Sequence, residues 1–414
     1  VDSAAAQKSF AARAAWCGQA AVPSPALLDK IIRCYVAVAA AAYLIDLLRQ
    51  TREALTDGAG RPFGDDFVNF WSGAFLALHH RAADVYDRAA FHAFEQSVVG
   101  PHLGAFHYSY PPVMLVVTAP LALVAYVPAL ALWIGLGWSA LYGALRLALP
   151  GGRGLLFALA TPAVFVNAVA GQNGTWSAAL FGAGLGLLER QPILAGGLLG
   201  LLAVKPQLGL LLPVALIAGH HWRAFAAAAA TVVVLVAVSV VWFGLDIYAD
   251  YVRQLTVLRH MILEDGSGVW HRMLSVFVAA RRLGADVTTA YLVQAVAGAA
   301  AALAVAIVWR HDAASRGSRN AVLILGTCLA TPYLQDYDLV FGTLAVACLW
   351  RDAERAEASP AFLFWASAAI LVAPLAAAVL ARATGFACGP LFVVPLFAIA
   401  LKRGMATPTA VKPG

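Results

Sequence analysis

The sequence predicts an all-α, polytopic membrane bundle. Three observations carry that expectation: too little charge for a soluble domain, a series of apolar runs near bilayer length, and no strand-like alternation within them. Of 414 residues, 62% are hydrophobic and 12% charged, whereas soluble domains carry about 25% charged residues. The mean hydropathy is +0.77. A water-soluble chain could not cover that much apolar surface, but a bilayer can, because a helix crossing its hydrocarbon core needs about 20 apolar residues. The runs are rich in Ala, Leu and Val without alternating polar positions. That excludes a membrane β-barrel and leaves helices, whose backbone polar groups are satisfied internally.

Along the chain, Val1–Ser24 is Ala-rich and mildly basic, without the apolar core of a signal peptide. The first apolar run, 31–48, is therefore expected to remain as a membrane helix. Residues 49–110 form a long polar stretch in which segments such as Phe67 to Leu78 are expected to lie as short helices on the membrane surface. Apolar runs follow at 111–126, 128–148, 154–171, 174–188, 193–204, 207–219 and 224–244. A second polar stretch spans 245–286, and further runs lie at 287–309, 320–333, 339–350, 361–380 and 389–401. Several are too short to span alone, and breaks at Gln172-Asn173-Gly174 and Lys205-Pro206 need protein or cavity water around them. About 11–13 membrane helices in one domain, 1–414, are expected.

The net charge of +6 does not imply nucleic acid. Arg310, Arg316, Arg319, Lys402 and Arg403 sit between apolar runs and orient them by the positive-inside rule. That rule puts the 310–319 loop in the cytoplasm and both long polar stretches outside. The cysteines Cys17, Cys34, Cys328, Cys348 and Cys388 lack CxxC or Cys/His spacing. They are expected to pack as small apolar residues. No metal site, cofactor motif or phosphate-binding Gly-rich loop is present in the pattern.

Five segments could carry chemistry, and each has an ordinary structural alternative. Asp65 and Asp66 open an aromatic helix, where either a catalytic carboxylate or an N-cap fits. His107-Tyr108-Ser109-Tyr110-Pro111-Pro112 reads as substrate-binding tyrosines or as an interfacial belt before a helix start. Gln172 and Asn173 form a cavity wall or a plain helix turn. Lys205 within apolar surroundings is a functional cation or a snorkelling side chain. Gln335, Asp336 and Asp338 lie between two apolar runs, where a cap is the alternative. In the second stretch His260, His271 and Arg272 are weaker candidates, since a loop histidine is usually solvated.

DDFVNFWSGAFLAL, ADVYD, YSYPPVMLVVTAPLALV, GQNGTWSAAL and LAGGLLGLLAVKPQLGLLLPVAL occur in that order, followed by HHWRAF. The ordered set, over residues 30–345, resembles glycosyltransferase family 87 (DUF2029), polytopic GT-C transferases that include mycobacterial phosphatidylinositol-mannoside mannosyltransferases. The family's usual glycine before the acidic-tyrosine motif is replaced here by the segment Leu78 to Asp87. The resemblance implies transfer of a hexose or pentose, mannose favoured, from a polyprenyl-phosphate donor to a lipid or glycan hydroxyl, with inversion. It implies a plasma-membrane location with the site facing the exterior, and membrane lipids and no nucleic acid as further partners. It assigns the base to Asp66, with Asp65 as the near alternative. A leaving phosphate needs a cation, for which Lys205 is expected, exposed to a cavity where the chain breaks at Pro206, with Gln172 and Asn173 as added donors. Tyr108, Tyr110, His260, His271, Gln335 and Asp336 are expected around the substrates. Broken helices with buried charge also fit a secondary transporter, and lipid-linked sugar chemistry fits an O-antigen ligase or polymerase.

Overall fold

The computed structural model describes residues 22–149, 153–266, 268–355 and 361–406. The expectation that Val1–Ala21 holds no signal peptide, and the packing of Cys17, lie outside those residues. Helix α1 (Pro25–Arg49) starts where the Ser24 side chain accepts a hydrogen bond from the Leu27 N–H and Pro25 sets the first turn. The first polar stretch then folds into α2 (Phe67–Leu78) and α3 (Arg88–Val99). Next come α4 (Pro112–Thr118), α5 (Tyr126–Ala148), α6 (Arg153–Ala160), α7 (Pro162–Val169), α8 (Gly174–Leu187), α9 (Pro192–Gly200) and α10 (Leu212–Ala218). Helix α11 (Trp222–Phe243) leads to the second polar stretch, with α12 (Asp246–Leu258) and α13 (Val276–Arg282). The chain closes with α14 (Val287–Arg310), α15 (Arg316–Ala330), α16 (Val340–Arg355), α17 (Ala361–Thr384) and α18 (Gly389–Met405).

Among the described residues, five helices are long and apolar enough to cross a membrane: α1, α5, α11, α14 and α17. The expected 11–13 counted apolar runs, and many of those runs fold as shorter pieces. Proline explains much of the difference, since it lacks an N–H and clashes with the preceding turn. Pro162 separates α6 from α7, and Pro206 separates the 3-10 turn Leu201–Val204 from the turn Pro206–Leu208 ahead of α10.

Helix α15 is the axis of the bundle. Every residue from Asn320 to Ala330 is buried, and α14, α16 and α18 pack around it. Elsewhere small residues let backbones meet. A Cβ at Gly196 would strike the Ala224 carbonyl, and one at Gly200 would lie 2.6 Å from the Ala228 carbonyl. This four-residue glycine spacing seats α9 directly on α11, as small residues do between membrane helices. Cys328, Cys348 and Cys388 are buried, while Cys34 is exposed on α1.

The expected surface position of Phe67 to Leu78 is corrected. Phe67, Val68, Phe70, Leu76 and Ala77 are fully buried, in a cluster with Tyr108, Tyr110, Tyr126 and Trp133. The segment is apolar on most of its circumference, so it needs cover on more than one side. The following helix α3 does keep a solvent face. In the second polar stretch, the Leu274 N–H donates to the Leu334 carbonyl at 2.8 Å. Residues 273–274 are thereby tied to the turn before α16.

Candidate active site

The irregular segments that interrupt the apolar runs converge on one place. Residues 64–66 meet the break at 170–174. Gly64 and Gly171 adopt φ of +82° and +57°, and Asp65 itself sits at +53°. A left-handed backbone is strained for a side-chain-bearing residue, though Asp tolerates it better than most. A Cβ at Gly171 would collide with the Gly64 carbonyl and press on the Phe67 backbone, so glycine is required for the two turns to touch. The Asp66 N–H donates to the Ala170 carbonyl at 3.2 Å, and the Gly64 N–H donates to Gln50 Oε1 at 2.9 Å.

This docking presents the Asp66 carboxylate to Gln172. Gln172 Nε2 donates to Asp66 Oδ2 at 2.8 Å, while the Tyr110 hydroxyl donates to Gln172 Oε1 at 2.9 Å. Tyr110 and Gln172 are buried, and Asp66 remains partly accessible. Asp66 makes no side-chain cap to α2, so the capping alternative is not what holds it. Burial pushes its carboxyl up to about 6, the Asp65 charge adds to the rise, and the Gln172 hydrogen bond opposes it. A carboxylate in this range can take a proton near neutral pH.

The chain breaks at Lys205 as expected, but its expected exposure to a cavity is corrected. Lys205 is 3% exposed. Its ammonium donates to Asp338 Oδ1 at 2.6 Å and to Asn173 Oδ1 at 3.2 Å, and it sits 4.8 Å from the centre of the Tyr337 ring. In so apolar a bundle a lone ammonium is costly, and the fully buried Asp338 offsets that cost. Asn173 thus serves the lysine.

Arg272 also approaches the Tyr337 ring, 5.8 Å from its centre. Asp336 holds one edge of the guanidinium, accepting from Nε at 2.9 Å and Nη2 at 3.1 Å. Both Nη1 hydrogens lack a partner among the described residues. Arg272 lies within electrostatic reach of Asp66 and Asp65. Beside it, Arg61 bridges Asp46, at 2.8 Å, and Asp65, at 3.0 Å. Asp46, Arg61, Asp65 and Arg272 line one end of a cavity of about 590 Å³ whose walls come from α1 and α7. A second cavity, about 680 Å³ and almost wholly apolar, opens between α9, α10 and α11 beside Pro206 and Pro111.

The remaining predicted residues scatter. Tyr108 is completely buried in the aromatic cluster, which leaves it no face toward a ligand. His260 pairs with Glu264, and His271 Nε2 lies 2.8 Å from Arg382. The Gln335 backbone N–H donates to Asp338 at 3.1 Å. Among the described residues no His, Cys, Asp and Glu group could hold a metal ion. Sequence reasoning ranked Arg272 low and missed Arg61, although Arg61 stands just before the paired aspartates.

The sequence model of glycosyltransferase family 87 matches residues 108–332, more than half of the chain. The matched segment holds Gln172, Asn173, Lys205 and Arg272, while Asp66 and Asp336 lie outside it. No curated protein and no solved structure matches the chain.

Proposed function

The chain belongs to glycosyltransferase family 87, and on that premise we propose that this membrane glycosyltransferase uses Asp66 as base. Its donor is a polyprenyl-phosphate sugar, mannose favoured, and its acceptor a lipid or glycan hydroxyl on the outer face of the plasma membrane. The observation that carries this reading is the partly accessible Asp66 carboxylate, held by Gln172 at 2.8 Å and within electrostatic reach of Arg272.

In the proposed step the acceptor hydroxyl attacks C1 of the sugar as Asp66 takes its proton. The C1–O bond to phosphate breaks, and the phosphate leaves with the bonding electron pair. One displacement inverts C1 without a covalent enzyme intermediate. The charge growing on the phosphate calls for a preorganised cation. Arg272 supplies it better than Lys205, since its side chain is partly exposed and lines the cavity, while Lys205 is enclosed by Asp338. The isoprenoid chain would lie along the apolar walls of α1 and α7. Asp65 keeps its own role, anchoring Arg61 beside the phosphate.

A transfer assay tests the reading. The purified full chain in detergent is given radiolabelled polyprenyl-phosphate mannose, other polyprenyl-phosphate sugars, or the matching nucleotide sugars, together with a membrane lipid extract as acceptor. Label should move from a polyprenyl-phosphate donor. Transfer from a nucleotide sugar alone would overturn the donor assignment.

A further inference from the structure

The end of the bundle away from Asp66 carries its own cavity. Helix α8 runs from the Asp66 site at Gly174 toward Leu187, and α15 returns from Arg316 to Ala330. The 24-residue α14 ends on the same far side at Arg310, about 36 Å along its axis from its start. Most arginines there are engaged by carbonyl oxygens. Arg316 donates to Leu185 and Gly186, Arg319 to His311 and Asp312, and Arg351 to Leu147. Arg310 differs. It is exposed and makes no hydrogen bond or ion pair among the described residues.

Arg310 also has a place that the other exposed cations lack. It stands with His220 and Trp222 at the mouth of a cavity of about 450 Å³ whose walls are Pro213, Val214, Ile217 and Ala306. Those walls belong to α10 and α14, and their apolar side chains are open, with Ile217 43% exposed. Trp222 is 55% exposed at the first turn of α11. An exposed tryptophan at a helix end marks the level of the lipid headgroups. Apolar walls with Arg310, His220 and an exposed tryptophan beside them are the composition of a slot that reaches from headgroup to hydrocarbon level. Arg223 follows Trp222 and is also exposed, but it does not line the cavity.

We propose that this slot between α10, α11 and α14 binds one anionic phospholipid, its acyl chain against Ile217 and Val214 and its phosphate on Arg310 and His220. Charge complementarity selects the occupant. A zwitterionic lipid fills the slot equally well but gains less from the rim, and cations near a membrane surface favour anionic lipids by about fivefold each. The site lies in the leaflet opposite Asp66 and does not depend on the reaction proposed there.

Native mass spectrometry of the delipidated full chain is the test. Phosphatidylglycerol and phosphatidylcholine with identical acyl chains are added in turn, and the fraction of protein retaining one lipid is measured. Phosphatidylglycerol should be retained preferentially, and Arg310→Gln should reduce that preference about fivefold. Arg190→Gln, which removes an exposed cation that does not line the slot, should leave it unchanged. Ile217→Trp, which fills the slot without touching charge, should lower retention of both lipids. Equal retention of the two lipids by the unaltered chain overturns the proposal. So does an equal effect of Arg190→Gln and Arg310→Gln, which would mean diffuse surface charge. Competition by inorganic phosphate would likewise show a phosphate site rather than a lipid site.

Discussion

Two charged pairs share the Tyr337 ring, and they differ in what they leave free. On one side Lys205 and Asp338 are 3% and 0% exposed and close at 2.6 Å. On the other, Asp336 is buried but the Arg272 side chain is 29% exposed and lines a cavity. Burying ions is costly, and a well-made pair mostly recovers that cost without adding function. A charge with unspent hydrogen-bonding capacity at a cavity can act on a ligand. Lys205 is therefore read as a pin joining the Pro206 break to the turn before α16, and the Asp66–Arg272 side as the chemistry.

The sharpest way to break that comparison is Asp66→Asn. It keeps the shape and the Gln172 contact but cannot take a proton, so transfer should fall about 10²- to 10⁴-fold with the melting temperature little changed. Asp65→Asn should instead loosen Arg61, a smaller loss read mainly as a raised KM for the donor. Full activity in Asp66→Asn would remove it as base.

Lys205→Met should act on the fold. Leaving Asp338 buried without its partner should destabilise the protein by about 3–5 kcal/mol, read as a lower melting temperature in detergent. Lys205→Met with Asp338→Leu should recover much of that loss, since apolar replacement of a whole buried pair is often neutral. If Lys205→Met instead melts normally and binds the donor weakly, the lysine does serve the phosphate and the comparison is reversed.

Gln172→Leu sharpens the open side. The bond stabilises the ionised carboxylate, so without it less of the base is ionised and turnover at neutral pH should drop by up to about tenfold. The Gln172 bond opposes the burial that raises the Asp66 carboxyl to about 6. Without it the carboxyl rises further, and because the base must be ionised, the acid limb of the pH–rate profile moves to higher pH. A drop in rate with an unmoved acid limb would mean that Gln172 only supports packing.

Much of this site was legible as interruptions. Gln172-Asn173-Gly174, Lys205-Pro206 and the 331–338 turn stand out because polar residues and proline disturb apolar runs, and the structure gathers all three. Their partners were not legible. Lys205 and Asp338 are 133 residues apart, and Arg272 and Asp336 are 64 apart. Spacing that distant has no local period, so a lysine with a buried carboxylate reads like one open to a cavity. The α2 segment erred for a related reason. FVNFWSGAFLAL is apolar enough for a membrane surface or a protein core, and only the aromatics brought by Tyr108, Tyr126 and Trp133 decide between them.

Glu95 offers the comparison's limiting case, a buried carboxyl with no hydrogen-bond partner among the described residues. It is 0% exposed on α3, and neither carboxyl oxygen has a hydrogen-bond partner. Burial pushes its carboxyl from the ordinary 4.5 up to about 9, with the Asp66 charge adding a little. Between those values the folded chain holds a proton that the unfolded chain releases. Its contribution to stability is therefore complete below about pH 4.5 and is lost as pH rises toward 9. The loss cannot exceed about 1.4 kcal/mol per pH unit. Glu95→Gln keeps the shape of the protonated acid and has no proton to lose. The two proteins should melt together near pH 5, and the variant should melt higher at pH 8. Transfer at neutral pH should change little, since the protonated acid and the amide are both neutral toward Asp66. Parallel melting curves from pH 5 to 8 would mean that Glu95 is already ionised in the folded chain. Burial alone would then not separate the silent charges of this bundle from the working ones.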